Sequence, residues 1–278
     1  SGPLGQGHTF AVGAAIAAKF LAHRLGWVMS QTIYAYISDG GIQEEISQGA
    51  GRIAGHLGLD NLIMYYDANN VQLSTTVEEV DSEDVAAKYK AWGWHVIEID
   101  GCCPEAIRKA LREAKATVGQ PTLIIGKTIM GRGAVGPNGE NYENRVNTHG
   151  QPLSAAGASI EATIKNLGGD PEAPFQIFPD VQELYAARLQ ELRELAKARK
   201  QEEKTWREEN PDRASKLDRW FAGEAPAVDW KSIEQKPNQA TRAASATVLS
   251  ALAEQVENMI VASADLSNSD KTDGFLKK

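Results

Sequence analysis

Two short polar turns contain the residues of this chain whose types and spacing could bind a metal ion. Asp39 follows an apolar, aromatic run at residues 32–37, and Asn69 follows a second such run at residues 61–66, 30 residues after Asp39. The carboxyl ends of neighbouring parallel strands face one crevice, and ligands bind there in sheets of this kind. A carboxylate and a carboxamide offer hard oxygen ligands, which suit Mg²⁺ or Ca²⁺.

The residues that follow Asp39 add the features of a phosphate site. Gly40 and Gly41 let the backbone approach a phosphate closely, and a helix that begins there favours its negative charge. Mg²⁺ keeps few protein ligands and completes its octahedron with phosphate oxygens and water. The two turns therefore outline a metal–diphosphate cradle. Gly, Asn and Asp are equally typical of ordinary turns, and these residues alone favour the turn interpretation.

Strands and helices alternate along the part of the chain that would position these turns. Runs rich in β-branched and aromatic residues predict strands, and amphipathic or Ala-rich stretches between them predict helices. The predicted strands are residues 32–37, 61–66, 95–99 and 121–125, and the predicted helices are residues 10–25, 43–57, 82–92 and 104–116. Such alternation favours right-handed crossovers, so the predicted fold class is α/β, a mostly parallel sheet flanked by helices.

The sequence changes in character after the last predicted strand. Residues 130–152 are rich in Gly, Asn and Pro and predict a long loop. Residues 179–210 predict a long charged helix, and residues 241–257 and 259–262 predict a further helix and a strand. An apolar stripe on the charged helix favours packing on a neighbour or a strap between domains. The stripe consists of Val181, Leu184, Leu189, Leu192 and Leu195.

These patterns predict three parts of the chain: residues 1–178 as a diphosphate-binding domain, 179–237 as a helical strap and linker, and 238–278 as the start of a further domain. One helix and one strand cannot bury a core of their own. The chain also opens on a glycine cluster without a Met. We therefore expect it to be part of a longer protein.

Composition excludes several classes of function. Lys and Arg number 29 and Asp and Glu number 37 among 278 residues, which gives a net charge of −8. That balance provides no basic surface for nucleic acid and no attraction to an anionic membrane. No apolar run reaches the roughly 18–20 residues that span a bilayer. The adjacent Cys102 and Cys103 build neither a disulfide framework nor a zinc motif, which indicates a reducing, cytoplasmic setting.

Six segments, in order along the chain, resemble the transketolase family of thiamine-diphosphate enzymes. The segments are GPLGQG at residues 2–7, SDG at 38–40 with Asn69, AWGWHV at 91–96, HGQPL at 149–153, TRAAS at 241–245 and SADL at 263–266. The second resembles the Asp-Gly…Asn signature of thiamine-diphosphate enzymes. The last two resemble the opening of the family's pyrimidine-binding domain. Six ordered matches are far more specific than one, and they favour the cradle over the turn interpretation.

The resemblance implies thiamine diphosphate as cofactor, held through Mg²⁺ or Ca²⁺. It implies that the side chains of Asp39 and Asn69 and the carbonyl of Val71 are metal ligands. Gly40 would contact the diphosphate through its backbone, and Val71 and Leu73 would pack against the thiazolium ring. An apolar wall at that place favours the neutral, ylide-like form of the ring.

Further positions of the same site follow from the resemblance. Gly2 and Leu4 would touch the cofactor, and Glu44 would be the acidic residue at a dimer contact behind it. His149 would lie near the diphosphate and the substrate hydroxyls and is the candidate catalytic residue. Asp265 would lie close to the cofactor or the substrate.

On the substrate side, the resemblance implies sugar phosphates as partners. Arg242 and Ser269 would hold the sugar phosphate, and the planar guanidinium of arginine suits bidentate phosphate binding. The implied reaction moves a two-carbon ketol unit from a ketose phosphate to an aldose phosphate. The implied assembly is a homodimer with active sites between subunits, so we expect these 278 residues alone to be inactive.

Three features depart from the family pattern, and one of them is Glu45, which stands where many members have Gly. Ser38 stands where the family usually has Gly, which the fold tolerates if residue 38 needs no positive φ. The loop at residues 131–149 lacks the additional upstream histidine of the common family loop.

Three alternatives stay open. A related thiamine enzyme, such as a dihydroxyacetone synthase or a deoxyxylulose-phosphate synthase, would share the cradle. A non-catalytic metal–diphosphate-binding or oligomerisation module belongs to a different class. A nicotinamide-dependent oxidoreductase rests only on GRGAVG at residues 131–136, and that motif requires a helix where PNGEN follows at residues 137–141.

Overall fold

The fold is taken from a computed structural model that describes residues 2–278. The chain divides into two compact units, Ser1–Gln201 and Glu202–Lys278. A four-stranded sheet forms the centre of the first unit; its strands are β1 Ile33–Ser38, β2 Leu62–Ala68, β3 His95–Asp100 and β4 Thr122–Lys127. The strand order is β1-β2-β4-β3, and every neighbouring pair is parallel. The predicted α/β class with a parallel sheet is confirmed.

Helices fill the connections between these strands. The helices that begin in the first unit are α1 Gln6–Leu25, α2 Asp39–Gln43, α3 Glu45–His56, α4 Val85–Ala91, α5 Pro104–Ala116, α6 Ile160–Asn166 and α7 Pro179–Glu209. The prediction of a single helix at residues 43–57 is wrong in one respect. Glu44 adopts an extended conformation, with φ −64° and ψ 131°, and separates α2 from α3. α2 begins at Asp39 itself, directly where β1 ends.

The two faces of the sheet pack against different helices. On one face, side chains of β2 such as Leu62, Met64 and Tyr66 form a core with Ala15 of α1 and Ala54 of α3. Burial of this apolar surface is the main source of stability for the arrangement. On the other face, α5 covers β2 and β4 through small side chains.

The α5 side of the sheet is a separate, smaller core. Ala110 and Ala114 of α5 pack against Ile63 of β2 and Ile124 of β4. Because the side chains of a strand alternate between its two faces, Tyr65 and Asp67 of β2 project to this side and Tyr66 to the other. That alternation decides which side chains can reach the turn at Asp39.

The glycine motif at residues 131–136 lies in turns after β4. Val135 forms an isolated antiparallel bridge with Asn141, and Ala134 is buried. In the described part of the chain, no α-helix begins between the end of β4 and α6. The helix that a dinucleotide-binding motif needs is therefore missing from these residues.

The second unit contains the end of α7 and four further helices. These are α8 Pro211–Phe221, α9 Thr241–Gln255, α10 Ser267–Asp270 and α11 Asp273–Leu276. The strand predicted at residues 259–262 is wrong. All four strands among the described residues lie in the first unit, so this apolar segment has no partner for a hydrogen-bonded ladder.

The long charged helix is confirmed as α7, but its apolar stripe is not buried. Leu184, Leu189, Leu192 and Leu195 are 43–64% exposed. Among the helices described within residues 2–278, none is long and apolar enough to cross a membrane.

Candidate functional site

Asp39 is a buried acidic side chain at the carboxyl end of β1. Only 3% of its surface is exposed. Its Oδ1 accepts a hydrogen bond from Tyr66 Oη at 2.6 Å, and its Oδ2 accepts one from the backbone N–H of Asn69 at 3.2 Å. Burial raises the pKa of Asp39, assisted by the charge of Asp67 and only partly opposed by these hydrogen bonds. A buried carboxylate of this kind is stabilised by a cation.

The turn that follows β2 brings Asn69 to Asp39. The Asn69 backbone donates to Asp39, and the Asn69 side-chain oxygen accepts a hydrogen bond from Val71 N at 3.0 Å. Asn70, between them, has a positive φ of 63°, which asparagine tolerates better than most residues. Val71 is buried. Two of the three predicted metal ligands, Asn69 and Val71, therefore lie on one short turn. The third, Asp39, is hydrogen-bonded to that turn.

The glycine-rich segment before α1 lies against the Asp39 turn. A Cβ placed on Gly40 would lie 3.5 Å from Leu4 Cδ1, so the Leu4 side chain lies beside Gly40. Gly5 has a φ of +75°, and a Cβ there would come within 2.9 Å of Glu44 Cβ and within 2.7 Å of Ser47 Oγ. Only glycine fits at this contact. The structure thus brings Leu4, Gly40 and Glu44 to one place, with Glu44 exposed to solvent.

The long loop after β4 brings His149 towards Leu73. A Cβ on Gly150 would lie 3.6 Å from Leu73 Cδ1. His149 Nδ1 and Gln72 Nε2 are buried and have no hydrogen-bond partner among the described residues. Buried polar atoms without partners are rare in folded proteins. These two atoms therefore have hydrogen-bonding capacity that a bound molecule could use.

The geometry adds one residue that sequence reasoning missed, Tyr66. Its ring is 6% exposed and packs in the core between β2 and the α1–α3 helices. A signal for it was present in the sequence, because a tyrosine at the end of a buried strand needs a partner for its hydroxyl.

A second tyrosine–aspartate pair lies on the opposite side of the sheet. Tyr36 Oη donates to Asp67 Oδ2 at 2.5 Å, and Thr128 Oγ1 donates to the other oxygen of Asp67. The Tyr36 ring is stacked on Tyr65 with centroids 5.6 Å apart. None of these residues was predicted as part of the site.

The remaining predicted residues occupy exposed positions. Gly2 is exposed in the segment before α1. Arg242 lies in the first turn of α9, Asp265 follows this helix with a φ of 60°, and Ser269 lies in α10. The last three residues belong to the second unit, whereas Gly2 and the other predicted positions belong to the first. Ser38 has a φ of −106°, so a non-glycine residue is unstrained there.

The donor set in the first unit fits a hard divalent cation. It offers a buried carboxylate, a carboxamide oxygen and a backbone carbonyl, which are oxygen ligands that Mg²⁺ and Ca²⁺ accept. No cluster of three or more His, Cys, Asp or Glu side chains suited to a metal occurs in the part of the chain that the structure describes.

Comparisons with known proteins concern the chain as a whole and all give one family. The family described as "Transketolase, thiamine diphosphate binding domain" matches residues 1–226. Transketolase 2 of Xanthobacter flavus is 36% identical over 286 residues, which cover 98% of this chain and 40% of that protein. Transketolase-1, chloroplastic, of Arabidopsis thaliana is 36% identical over 282 residues, which cover 98% of this chain and 37% of that protein.

Solved structures give the same result. A transketolase from Leishmania mexicana superposes with a TM-score of 0.86 at 30% identity, covering 98% of this chain and 40% of that one. A transketolase from Pichia stipitis in complex with sedoheptulose-7-phosphate superposes with a TM-score of 0.84 at 30% identity, with the same coverage. The chain thus spans about two-fifths of the length of the relatives it matches.

Proposed function

This chain belongs to the transketolase family, and we propose that it forms the metal- and diphosphate-binding half of a transketolase active site. In this proposal, the whole enzyme transfers a two-carbon ketol unit from a ketose phosphate to an aldose phosphate. The chain spans about two-fifths of its relatives, so the activity of the whole protein is part of the proposal. We also keep the expectation that these 278 residues alone do not turn over substrate.

The observation that carries the proposal is the pairing of Asp39 with the Asn69 turn. A carboxylate that is 97% buried faces no cationic side chain within hydrogen-bond reach in the described structure; both of its oxygens accept from Tyr66 and Asn69. Burying a carboxylate without a cationic partner costs free energy, and a bound cation would offset that cost. The donor chemistry favours Mg²⁺ or Ca²⁺.

The predicted site residues of the first unit have separate roles in this proposal. Asp39, Asn69 and the Val71 carbonyl hold the cation, and the Gly40 backbone contacts the diphosphate. Leu4 and Leu73 are exposed apolar side chains beside this turn, at 50% and 68% exposure, and would cover the cofactor rings. Thiamine diphosphate, when bound, supplies the nucleophilic carbon for cleaving and forming the carbon–carbon bond.

His149 is the proposed catalytic residue of this chain. Its buried and unpartnered Nδ1 supports a role in which the ring exchanges a hydrogen bond or a proton with a hydroxyl of the substrate. Gly150 lies beside Leu73, which keeps the His149 backbone near the apolar wall of the cradle. Water exclusion by Leu4 and Leu73 would strengthen each polar contact at the site.

The substrate side of the proposal rests on the second unit. Arg242, Ser269 and Asp265 would contact the sugar phosphate or the cofactor. The Pichia stipitis relative in complex with sedoheptulose-7-phosphate supports sugar phosphates as the substrate class. A homodimer with shared sites, in which Glu44 contacts the partner, and a cytoplasmic location complete the proposal.

Calorimetric titration of thiamine diphosphate into the chain tests the proposal. We expect binding in the presence of Mg²⁺ and none after chelation of the metal. Asp39→Asn keeps the shape of the side chain but removes its charge, and we expect it to abolish the metal-dependent binding. Asp60→Asn is the control, because Asp60 pairs with Lys19 just before β2 begins, at the end of the strands opposite to Asp39. Equal binding by the wild type and Asp39→Asn would contradict the proposed role.

A further inference from the structure

Tyr66 contacts the proposed metal ligand Asp39 from inside the core. It lies one residue before Asp67 on β2, on the face that packs against α1 and α3. Its hydroxyl donates to Asp39 Oδ1 at 2.6 Å, a short and charge-assisted hydrogen bond. Because the ring is only 6% exposed, the surrounding core fixes the position of this hydroxyl.

The two oxygens of Asp39 are held by two different elements. Tyr66 of β2 binds Oδ1, and the Asn69 backbone, in the turn after β2, binds Oδ2. A carboxylate oxygen has two lone-pair directions, so each oxygen keeps one for a further partner. The plane of the carboxylate is therefore set before any cation arrives. Partners that orient a ligand in this way raise metal affinity by reducing the ordering that binding requires.

We propose that Tyr66 is a positioning residue that holds the Asp39 carboxylate in the orientation that binds the divalent cation. This inference rests on the proposed function, because it takes Asp39 as a ligand. It goes beyond that function by assigning the metal affinity of the cradle to a residue that touches neither the metal nor the diphosphate.

Removal of one hydroxyl isolates this role. Tyr66→Phe keeps the buried ring and its packing but leaves Oδ1 without its donor. The carboxylate then has one anchor instead of two and must be ordered when the cation binds. Loss of such a supporting hydrogen bond lowers metal affinity by about 10- to 100-fold in known metal sites.

Two tyrosines of the same unit provide matched controls. Tyr36→Phe removes a hydroxyl that donates to Asp67 on the other side of the sheet, so it repeats the chemical change at an aspartate that is not a proposed ligand. Tyr89→Phe removes a hydroxyl from a fully buried ring, and that hydroxyl has no partner among the described residues. Tyr36→Phe thus tests the effect of losing a Tyr–Asp hydrogen bond, and Tyr89→Phe tests the effect of losing a buried hydroxyl.

The experiment is a calorimetric titration of thiamine diphosphate into each variant at a series of fixed Mg²⁺ concentrations, with thermal melting to compare stability. We expect Tyr66→Phe to raise the half-saturating Mg²⁺ concentration about tenfold and to reach wild-type binding at saturating metal. Tyr36→Phe and Tyr89→Phe should leave that concentration unchanged. A structural defect would instead lower binding at every Mg²⁺ concentration.

Two outcomes would overturn the inference, and they differ in what they say about the proposed function. If Tyr66→Phe and the wild type have the same half-saturating Mg²⁺ concentration, Tyr66 does not position the ligand. The proposed metal cradle is then unaffected. If the wild type itself binds thiamine diphosphate without any dependence on Mg²⁺, the metal cradle is wrong and the role of Tyr66 falls with it.

Discussion

His8 is the most unusual single side chain outside the cradle. It is 3% exposed near the start of α1, and neither ring nitrogen has a partner among the described residues. Burial lowers the pKa of His8 from 6.5 to about 4. The folded protein therefore holds this ring in its neutral form over a pH range in which the unfolded chain protonates it.

This shift predicts a loss of stability in acid. Below pH 6.5 the unfolded chain gains a proton on His8 that the folded chain takes up only near pH 4, so the free energy of unfolding falls between these values. The loss due to this residue amounts to about 3 kcal/mol by pH 4. Urea unfolding from pH 7 to pH 4 measures it against His8→Leu, which lacks the ring. Parallel stability curves for the two proteins would refute the assignment.

The residues of the cradle show how far single positions could be predicted. Asp39 and Asn69 were predicted as one site because two turns follow two strands, and the parallel register does bring them into contact. Tyr66 was not predicted, because its partner becomes apparent only when the strand alternation places its ring on the side of Asp39. The buried Nε2 of Gln72, which has no hydrogen-bond partner among the described residues, could not be predicted either. Its surroundings depend on how the turn after β2 folds.

At the scale of elements, α3 shows how glycine permits close packing. A Cβ on Gly55 would lie 1.9 Å from the carbonyl oxygen of Trp92, so α3 and the turn after α4 touch through this backbone. The indole N–H of Trp94, the residue before β3, also donates to Gly51 O at 2.8 Å, which links the start of β3 to the same helix. A Cβ on Gly49 would have nothing within 4 Å.

Alanine substitutions in α3 should therefore have opposite effects. Gly49→Ala gains helix propensity in open space and should stabilise the protein by about 0.5–1 kcal/mol. Gly55→Ala should destabilise it by about 1–3 kcal/mol, because α3 must move away from the Trp92 backbone. Chemical denaturation of both variants measures whether each substitution raises or lowers the free energy of unfolding. A gain in stability for Gly55→Ala would mean that α3 does not approach Trp92 this closely.

Element types were predictable where the hydrophobic pattern was strong, and boundaries failed where local geometry decides. The four strands of the sheet lie within two residues of their predictions, because buried parallel strands form continuous apolar runs. The break at Glu44 was not predicted, because it depends on the turn that Asp39 makes after β1. The apolar segment at residues 259–262 has the composition of a strand but no neighbouring strand, and pairing rather than composition determines the outcome.

At the scale of the whole molecule, the proposed metal ligands all lie in the unit Ser1–Gln201. The proposed sugar-phosphate contacts Arg242 and Ser269 lie in the unit Glu202–Lys278. The four described strands of the parallel sheet that positions the cradle, and both of its cores, lie within the first unit. Metal binding and the proposed contacts to the sugar phosphate are thus assigned to separate parts of the chain.

This division predicts that the first unit suffices for the cradle. A protein that ends at Gln201 should keep the circular dichroism signal of an α/β fold and the Mg²⁺-dependent binding of thiamine diphosphate. Arg242→Ala in the longer chain should likewise leave this binding unchanged. Loss of binding in a folded 1–201 protein would show that the second unit contributes to the cradle.

The most direct test of the central claim is to locate the bound cation. Mn²⁺ replaces Mg²⁺ in many oxygen-ligand sites and broadens the nuclear magnetic resonance signals of nearby residues. With thiamine diphosphate present, we predict the strongest broadening at the amides of Gly40, Asn69 and Val71. The effect should decrease along β2 towards Leu62, which lies roughly 20 Å from Ala68 at about 3.3 Å per residue. Strong broadening centred elsewhere, with Gly40 and Asn69 unaffected, would contradict the account.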